Sequence, residues 1–206
     1  MTEQALQHLS KTDRILGRLI RRVGPCRLKP KSRRAPFAAL VQAVVYQQLN
    51  GTAAATIFGR VKELYPDRRF PTPRDILDTP DERLRGAGLS RAKTAAIKDI
   101  AANTISGVVP SSSAIARMSE AEIIERLTTL RGVGPWTVEM LLIFTLGRPD
   151  VLPVTDYGVR KGFALTYGWK ELPHPKELLE FGERWRPHRT TAAWYFWRAL
   201  ELPLPE

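Results

Sequence analysis

Cysteine is almost absent from this sequence: Cys26 is the single cysteine among 206 residues. One cysteine cannot form an intrachain disulfide, a cysteine-ligated zinc site or a four-cysteine iron–sulfur cluster. Histidine is also scarce, and three scattered histidines do not favour a histidine-rich metal site. We therefore expect no cofactor that is held by cysteine or histidine side chains.

Long apolar runs are missing as well. No stretch of about 18 consecutive apolar residues occurs, which argues against a membrane-spanning helix. The first residues are polar and lack the apolar segment of a secretory signal peptide. Hydrophobic residues make up 43% of the chain and charged residues 26%, as in ordinary globular proteins. We expect a globular protein that works inside the cell without a membrane anchor.

Acidic residues are outnumbered by basic ones. The chain has 32 Lys and Arg residues against 21 Asp and Glu residues, so its formal net charge is +11. This excess on a small protein favours a polyanionic partner, with nucleic acid the first candidate and an anionic membrane surface the second. Basic residues are concentrated between Arg21 and Arg34, where they either contact phosphate or form a solvated surface.

The apolar residues follow a helical period along almost the whole chain, and strand-like alternation never persists. Ser90 and Ser119 stand where helix N-caps are expected, and Glu122 would complete a capping box with Ser119. We predict an all-α protein of about ten helices in a single domain, residues 1–206. We expect two lobes, lobe A over about 1–50 plus 150–206 and lobe B over about 51–149.

The most informative segment joins two helical patterns by a tight turn over residues 130–137, LRGVGPWT. Gly132 and Gly134 permit positive φ and close backbone approach, and Pro135 suits the first turn of the next helix. A helix N-terminus with exposed N–H groups binds anions such as a DNA phosphate. A plain connection between two helices explains the same residues.

Asp156 follows the next helical pattern and a loop, in the segment LPVTDYGVRK. A carboxylate at this position is favoured as the N-cap of a helix over 156–167. An extended loop of about nine residues spans up to about 30 Å, which is enough to bring Asp156 back near the phosphate-binding turn. The capping role and a chemical role are compatible, and both stay open.

The hairpin followed by Asp156 resembles the helix-hairpin-helix Gly/Pro-Asp (HhH-GPD) DNA glycosylase superfamily, and more closely its 3-methyladenine DNA glycosylase II branch. Three further segments resemble that branch: residues 37–60 (FAALVQAVVYQQLNGTAAATIFGR), 88–93 (GLSRAK) and 186–198 (RPHRTTAAWYFWR). The resemblance covers about residues 12–201. One departure is Asn50, where many relatives carry Ser or His.

The resemblance implies a two-lobed helical fold with a DNA-binding cleft between the lobes, and an enzyme that hydrolyses the bond between a damaged base and deoxyribose. The base must leave the stack first, because its glycosidic bond is shielded in the duplex. Leu49 would then wedge between bases and Gln48 would fill or border the gap. Asp156 would be the catalytic carboxylate that stabilises the developing sugar cation and orients or deprotonates water.

The same resemblance assigns the surroundings of Asp156. The base pocket would be formed by Trp136, Tyr157 and Trp197, whose ring faces attract a cationic base. The DNA phosphates would be bound by Gly132, Gly134, Thr137, Arg160 and Lys161. A monovalent cation, Na⁺ or K⁺, would be held at the hairpin by backbone carbonyls of Thr128, Leu130 and Val133.

Trp136 occupies the position where relatives that also cut the strand carry a lysine. The sequence therefore predicts no Schiff-base lysine there and no lyase activity. We expect a monomeric, monofunctional DNA glycosylase for alkylated purines such as 3-methyladenine and 7-methylguanine, acting on double-stranded DNA in a bacterial or archaeal cytoplasm. The alternatives are a glycosylase of this fold for hypoxanthine, ethenoadenine or uracil, and a non-catalytic DNA-damage-binding module.

Overall fold

A computed structural model describes residues 3–30 and 34–202. All the regular structure in these ranges is helical, as the apolar period predicts. The α-helices are α1 (Glu3–Thr12), α2 (Arg14–Val23), α3 (Pro36–Tyr46), α4 (Gly51–Glu63), α5 (Pro73–Asp78), α6 (Asp81–Gly86), α7 (Arg91–Ile105), α8 (Ser112–Ile115), α9 (Glu120–Leu127), α10 (Pro135–Leu141), α11 (Tyr157–Tyr167), α12 (Pro175–Gly182) and α13 (Arg189–Ala199). A π-helical turn covers Leu142–Leu146, and a 3₁₀ turn covers Glu183–Trp185.

The described residues therefore contain more helices than the ten expected. The additional ones are short, such as α6 with six residues and α8 with four. A helix of one or two turns has too few residues to show an apolar period, so it resembles a turn in the sequence. Its caps are the better signal, because Ser111 accepts a hydrogen bond from the Ala114 N–H at the start of α8.

The chain divides into two compact units. Unit 1 is drawn from Met1–Pro30 and Leu142–Glu206, and unit 2 from Lys31–Leu141. These bounds differ from the lobe limits drawn near residues 50 and 150. The reason lies in α3, which packs on α7 and α10 and so belongs with unit 2.

Unit 2 contains α3 to α10, and α7 is its central helix. Ser90 caps α7 by accepting from the Lys93 N–H, as predicted. One face of α7 is buried through Ile97 and Ile100, and α3 buries Val44. Each fully buried aliphatic side chain contributes about 1.5–3 kcal/mol relative to its exposed state. This packing holds α3, and the loop that follows it, against α7.

Unit 1 contains α1, α2 and α11 to α13 around a cluster of aromatic rings. Phe163 of α11 stacks on Tyr167 with ring centroids 4.5 Å apart and meets Phe196 of α13 edge to face. Asp13, the N-cap of α2, is buried here. Its Oδ2 accepts hydrogen bonds from the Tyr167 hydroxyl at 2.5 Å and the Trp185 indole at 3.0 Å. The cluster joins the C-terminal end of α11 to the start of α2.

The described helices include none that is long and apolar enough to cross a membrane.

Candidate active site

Asp156 is the N-cap of α11, as predicted, and two donors within unit 1 hold its carboxylate. Its Oδ1 accepts from the Val159 N–H at 2.8 Å, the usual bond of an N-cap, and from the Trp197 indole Nε1 at 2.9 Å. The Asp156 N–H in turn donates to the carbonyl of Pro153. The carboxylate is half-buried, so its orientation is fixed at a surface that a ligand can reach.

Glycines bring α11 close enough to α13 for this bond. A Cβ at Gly162 would lie 1.9 Å from the carbonyl oxygen of Phe196, and one at Gly158 would lie 2.9 Å from the Trp197 ring. Only residues without a side chain fit at these two positions. The close approach of the two helices places the Trp197 indole beside the Asp156 carboxylate.

The loop before Asp156 is pinned to the start of α13. Arg189 donates from Nε to Asp150 Oδ1 at 2.9 Å, and the Thr190 hydroxyl donates to the Arg148 carbonyl at 2.7 Å. The Thr190 hydroxyl oxygen also accepts from the Val151 N–H at 2.9 Å. These bonds leave the segment that delivers Asp156 little freedom.

Aromatic residues accompany Asp156 in unit 1, and two of them, Tyr157 and Trp197, are those that the resemblance implies. Tyr157 is 62% exposed directly after Asp156. Trp197 is half-buried and stacks on Phe144, with ring centroids 5.5 Å apart. Phe144 is 39% exposed and comes from the π-helical turn, which has no residue pattern that separates it from regular helix. Trp136, the third predicted ring, is the second residue of α10 in unit 2 and is half-buried.

The two predicted phosphate ligands on α11 have different surroundings. Lys161 is exposed, and its Nζ lies 5.8 Å from the centre of the Tyr157 ring. Arg160 is half-buried and donates from Nε to the carbonyl of Pro173 at 2.9 Å. Lys161 is therefore the better placed of the two to meet a phosphate.

The hairpin of unit 2 turns between α9 and α10. Gly132 adopts a φ of +73°, and a Cβ there would lie 2.9 Å from the Ala96 Cβ, so glycine is required. Gly134 does not use the same conformational freedom, because its φ is not positive. Its role is to accept hydrogen bonds from the Thr137 and Val138 N–H groups through its carbonyl. Asp99 of α7 holds the turn by accepting from the Arg131 N–H at 2.9 Å.

Thr137 lies inside unit 2 rather than at its surface. The residue is only 1% exposed, and its hydroxyl accepts from Gln47 Nε2 at 2.9 Å. Its own N–H donates to Gly134. This differs from the predicted phosphate contact, because burial assigns Thr137 to holding the hairpin. The exposed Gly132 and half-buried Gly134 remain the predicted phosphate-binding residues of this turn.

The predicted intercalating residues stand at the tip of an exposed loop, residues 47–50. Leu49 is 39% exposed instead of lying in the core, and Gln48 is exposed with a φ of +55°. Asn50 ends the loop and caps α4 by accepting from the Ala53 N–H at 2.9 Å. The loop therefore presents an apolar side chain to solvent on a short, capped segment.

The predicted cation site depends on carbonyls of the hairpin. The Leu130 carbonyl accepts from the Val133 N–H at 3.1 Å, and Thr128 caps the end of α9. Among the described residues no group of three or more acidic, histidine or cysteine side chains is placed to hold a metal ion. Carbonyl ligation of Na⁺ or K⁺ stays a prediction.

Of the basic residues concentrated between Arg21 and Arg34, Lys31 and Arg33 lie outside the described residues.

Three residues of this arrangement were missed in the sequence: Gln47, Lys93 and Phe144. Lys93 and Gln47 lie within segments quoted for the resemblance, and their hydrogen bonds connect positions far apart in the chain. A half-exposed aromatic residue has no local signal that would assign it to a site. Only the stacking of Phe144 on Trp197 shows that Phe144 belongs to this site.

The part of the chain that holds the hairpin and Asp156 matches the pattern of a class of DNA repair proteins. The sequence pattern of the family described as HhH-GPD superfamily base excision DNA repair protein matches residues 41–187. This chain therefore belongs to that family.

Individual relatives are similar over nearly the whole chain. DNA-3-methyladenine glycosylase 1 of Schizosaccharomyces pombe is 41% identical over 95% of this chain and 86% of its own length. The alkylbase DNA glycosidase-like protein mag2 of the same yeast is 35% identical over 97% of this chain and 94% of its length. The solved S. pombe 3-methyladenine DNA glycosylase in complex with abasic DNA superposes with a TM-score of 0.92 at 39% identity, covering 98% of this chain and 99% of that one.

Proposed function

We propose that this chain is a DNA glycosylase that excises alkylated purines and thereby starts base excision repair. The observation that carries the proposal is the half-buried Asp156 carboxylate, whose Oδ1 is held by the Val159 N–H and the Trp197 indole. A protein that only bound the DNA backbone would need neither this fixed anion nor the rings beside it. Membership of the superfamily supports the proposal, and so does similarity to a yeast DNA-3-methyladenine glycosylase and to an alkylbase DNA glycosidase-like protein of the same yeast.

The reaction needs a fixed negative charge more than it needs an acid. Water attacks C1′ of deoxyribose, the bond from C1′ to the base nitrogen breaks, and its electron pair leaves with the base. A base alkylated at N3 or N7 already carries a positive charge, so it departs as a neutral molecule without being protonated first. One carboxylate is then sufficient, in contrast to the pair used by ordinary glycosidases.

Asp156 supplies that charge in a fixed position. Positive charge develops on the sugar as the base leaves, and an oriented carboxylate stabilises it without having to reorganise. The same group orients the attacking water and accepts its proton. Trp197 lies beside the carboxylate and Tyr157 follows it in the chain with an exposed ring, and each cation–π contact with a charged base is worth about 0.5–2 kcal/mol. Such contacts favour charged lesions over normal purines.

Several finer points belong to the same proposal. The enzyme hydrolyses the bond between the base and deoxyribose and leaves the strand intact, because position 136 is a tryptophan and offers no amine for a Schiff base. Its substrate is double-stranded DNA, it acts as a monomer, and it needs no cofactor beyond a Na⁺ or K⁺ ion at the hairpin carbonyls. Gln48 and Leu49 enter the duplex to replace the extruded base.

The test is release of methylated bases from alkylated duplex DNA, with strands scored before and after alkali. We expect wild type to free 3-methyladenine or 7-methylguanine and strands to break only after alkali. Asp156→Asn keeps the capping oxygen but loses the charge, and we expect its rate to fall by about 100-fold or more. Asp67→Asn, at an exposed turn, makes the same charge change and is expected to act as wild type.

The outcomes separate the alternatives. Binding of the alkylated duplex without release of any base would sink the enzyme assignment and favour a damage-binding module. Release of hypoxanthine, ethenoadenine or uracil in place of methylated purines would keep Asp156 but change the substrate. Strand breaks before alkali would contradict the monofunctional assignment.

A further inference from the structure

The exposed loop 47–50 is shaped by contacts that its own sequence does not supply. Gln48 has a φ of +55°, in the left-handed region that side chains other than glycine seldom adopt. Such a conformation is unfavourable and persists where the surrounding structure enforces it. The residues on either side of Gln48 must therefore be held, and the structure shows how.

Lys93 holds the side of the loop that leaves α3. Its Nζ donates to the carbonyls of Val45 and Gln47, both at 2.8 Å. The last carbonyls of a helix have no partner within the helix, and the negative end of the helix dipole attracts a cation. Lys93 thus caps α3 from α7, across 48 residues of sequence in the case of Val45.

Gln47 ties the same loop to the hairpin. Its Nε2 donates to the Gly132 carbonyl and to the Thr137 hydroxyl, both at 2.9 Å. Gly132 is the turn residue of the hairpin and Thr137 lies in the first turn of α10. One side chain therefore joins the loop that carries Leu49 to the turn predicted to bind phosphate.

We propose that Gln47 and Lys93 are positioning residues that hold loop 47–50 ready to enter DNA and that couple its position to the hairpin. The inference rests on the proposed function, because it concerns entry of Leu49 into a duplex. An apolar wedge that is already ordered loses little conformational freedom on insertion, whereas a mobile loop would have to be ordered at that step. The anchors therefore favour the complex in which a base is missing or extruded over the complex with intact stacked DNA.

This role differs measurably from a role in folding alone. Replacing a purely structural residue lowers the stability of the protein and affects all DNA complexes alike. Replacing a residue that positions the wedge lowers the ratio of the affinity for a duplex with a missing base to the affinity for an intact duplex. That ratio is the readout of the experiment.

The experiment compares binding of two duplexes of the same sequence, one intact and one containing a tetrahydrofuran abasic-site analogue. Lys93→Met keeps the length of the side chain but removes the donors. We expect it to lower the preference for the abasic duplex about tenfold, because the carbonyls of Val45 and Gln47 lose their charged donor. Lys93→Arg keeps the charge and the donors and should restore most of the preference.

Lys98→Met is the matched control. Lys98 lies on the same helix and pairs with Asp81 at 2.5 Å, so the substitution removes the same charge without touching the loop. We expect Lys98→Met to bind both duplexes with the wild-type ratio. Thermal unfolding of each variant confirms that the folded protein is being compared.

A second pair of substitutions tests whether the anchors act through Leu49. Leu49→Ala alone should lower the preference for the abasic duplex, and so should Gln47→Met alone. If Gln47 acts by presenting Leu49, then the double variant should prefer the abasic duplex almost as much as Leu49→Ala does, because the two residues serve one step. Additive losses would overturn the coupling, and an unchanged ratio in Lys93→Met would overturn the role of Lys93.

These measurements do not depend on excision of any base. If wild type releases no methylated purine but prefers the abasic duplex, then the proposed activity fails while the anchoring of the loop is still tested. If wild type excises bases and Lys93→Met keeps the full preference, then the activity stands and this inference fails.

Discussion

At the scale of single residues, the chemistry of this protein depends on how one carboxylate is held. Asp156 could be predicted from the sequence, because a carboxylate before a helical pattern is a recognisable N-cap. The Trp197 indole that donates to it could not be paired with it, since the two are 41 residues apart. Local pattern determines the cap, and the packing of two helices determines the second hydrogen bond.

Trp197→Phe isolates that second bond. The substitution removes the indole N–H and keeps an aromatic ring beside the carboxylate. We expect kcat for release of methylated bases to fall about tenfold with little change in KM, because the carboxylate loses one of its two identified orienting donors. Single-turnover kinetics measure the change.

Trp194→Phe on the same helix is the control for the loss of an indole, because Trp194 packs against Tyr195 with ring centroids 4.9 Å apart and does not bond Asp156. A Trp197→Phe enzyme with wild-type kcat would contradict the orienting role. A rise in KM alone would assign Trp197 to binding the base.

At the scale of helices, the longer elements follow from the sequence and the short ones do not. Ser119 and Glu122 form the predicted capping box of α9, with both reciprocal bonds present. The helical pattern that follows the hairpin turn forms α10 and then the π-helical turn, which displays Phe144. A widened turn has no distinct residue pattern, so periodicity alone cannot show it.

The junction of α11 and α13 gives the prediction at this scale. Gly162→Ala would place a methyl group 1.9 Å from the Phe196 carbonyl oxygen, so the two helices would have to separate. We expect a loss of about 3 kcal/mol or more in the free energy of unfolding, at the upper end of overpacking effects, with a matching fall in Tm.

Gly59→Ala in α4 is the matched substitution, because a Cβ there meets nothing within 4 Å. Alanine is the better helix former by up to about 1 kcal/mol, so this variant should unfold at the same temperature as wild type or higher. Equal Tm values for the two variants would contradict the close approach of α11 to α13.

At the scale of the whole molecule, the net charge of +11 governs how the protein meets DNA. Composition predicts a polyanionic partner but does not identify the cations that touch it. The structure separates them: Lys93 is used on backbone carbonyls, Arg189 pairs with Asp150, and Lys161 stands exposed next to the site. Only exposed cations such as Lys161 are expected to displace counterions from phosphate.

Salt dependence of binding distinguishes these kinds of cation. The logarithm of the affinity for an abasic duplex should fall linearly with the logarithm of the salt concentration, and each phosphate contact adds about 0.9 to the slope. Lys161→Gln should therefore reduce the slope by about 0.9. Lys176→Gln, an exposed change of the same charge at the start of α12, should leave it unchanged. An equal effect of both substitutions would mean that the overall charge, and not a contact at Lys161, attracts the DNA.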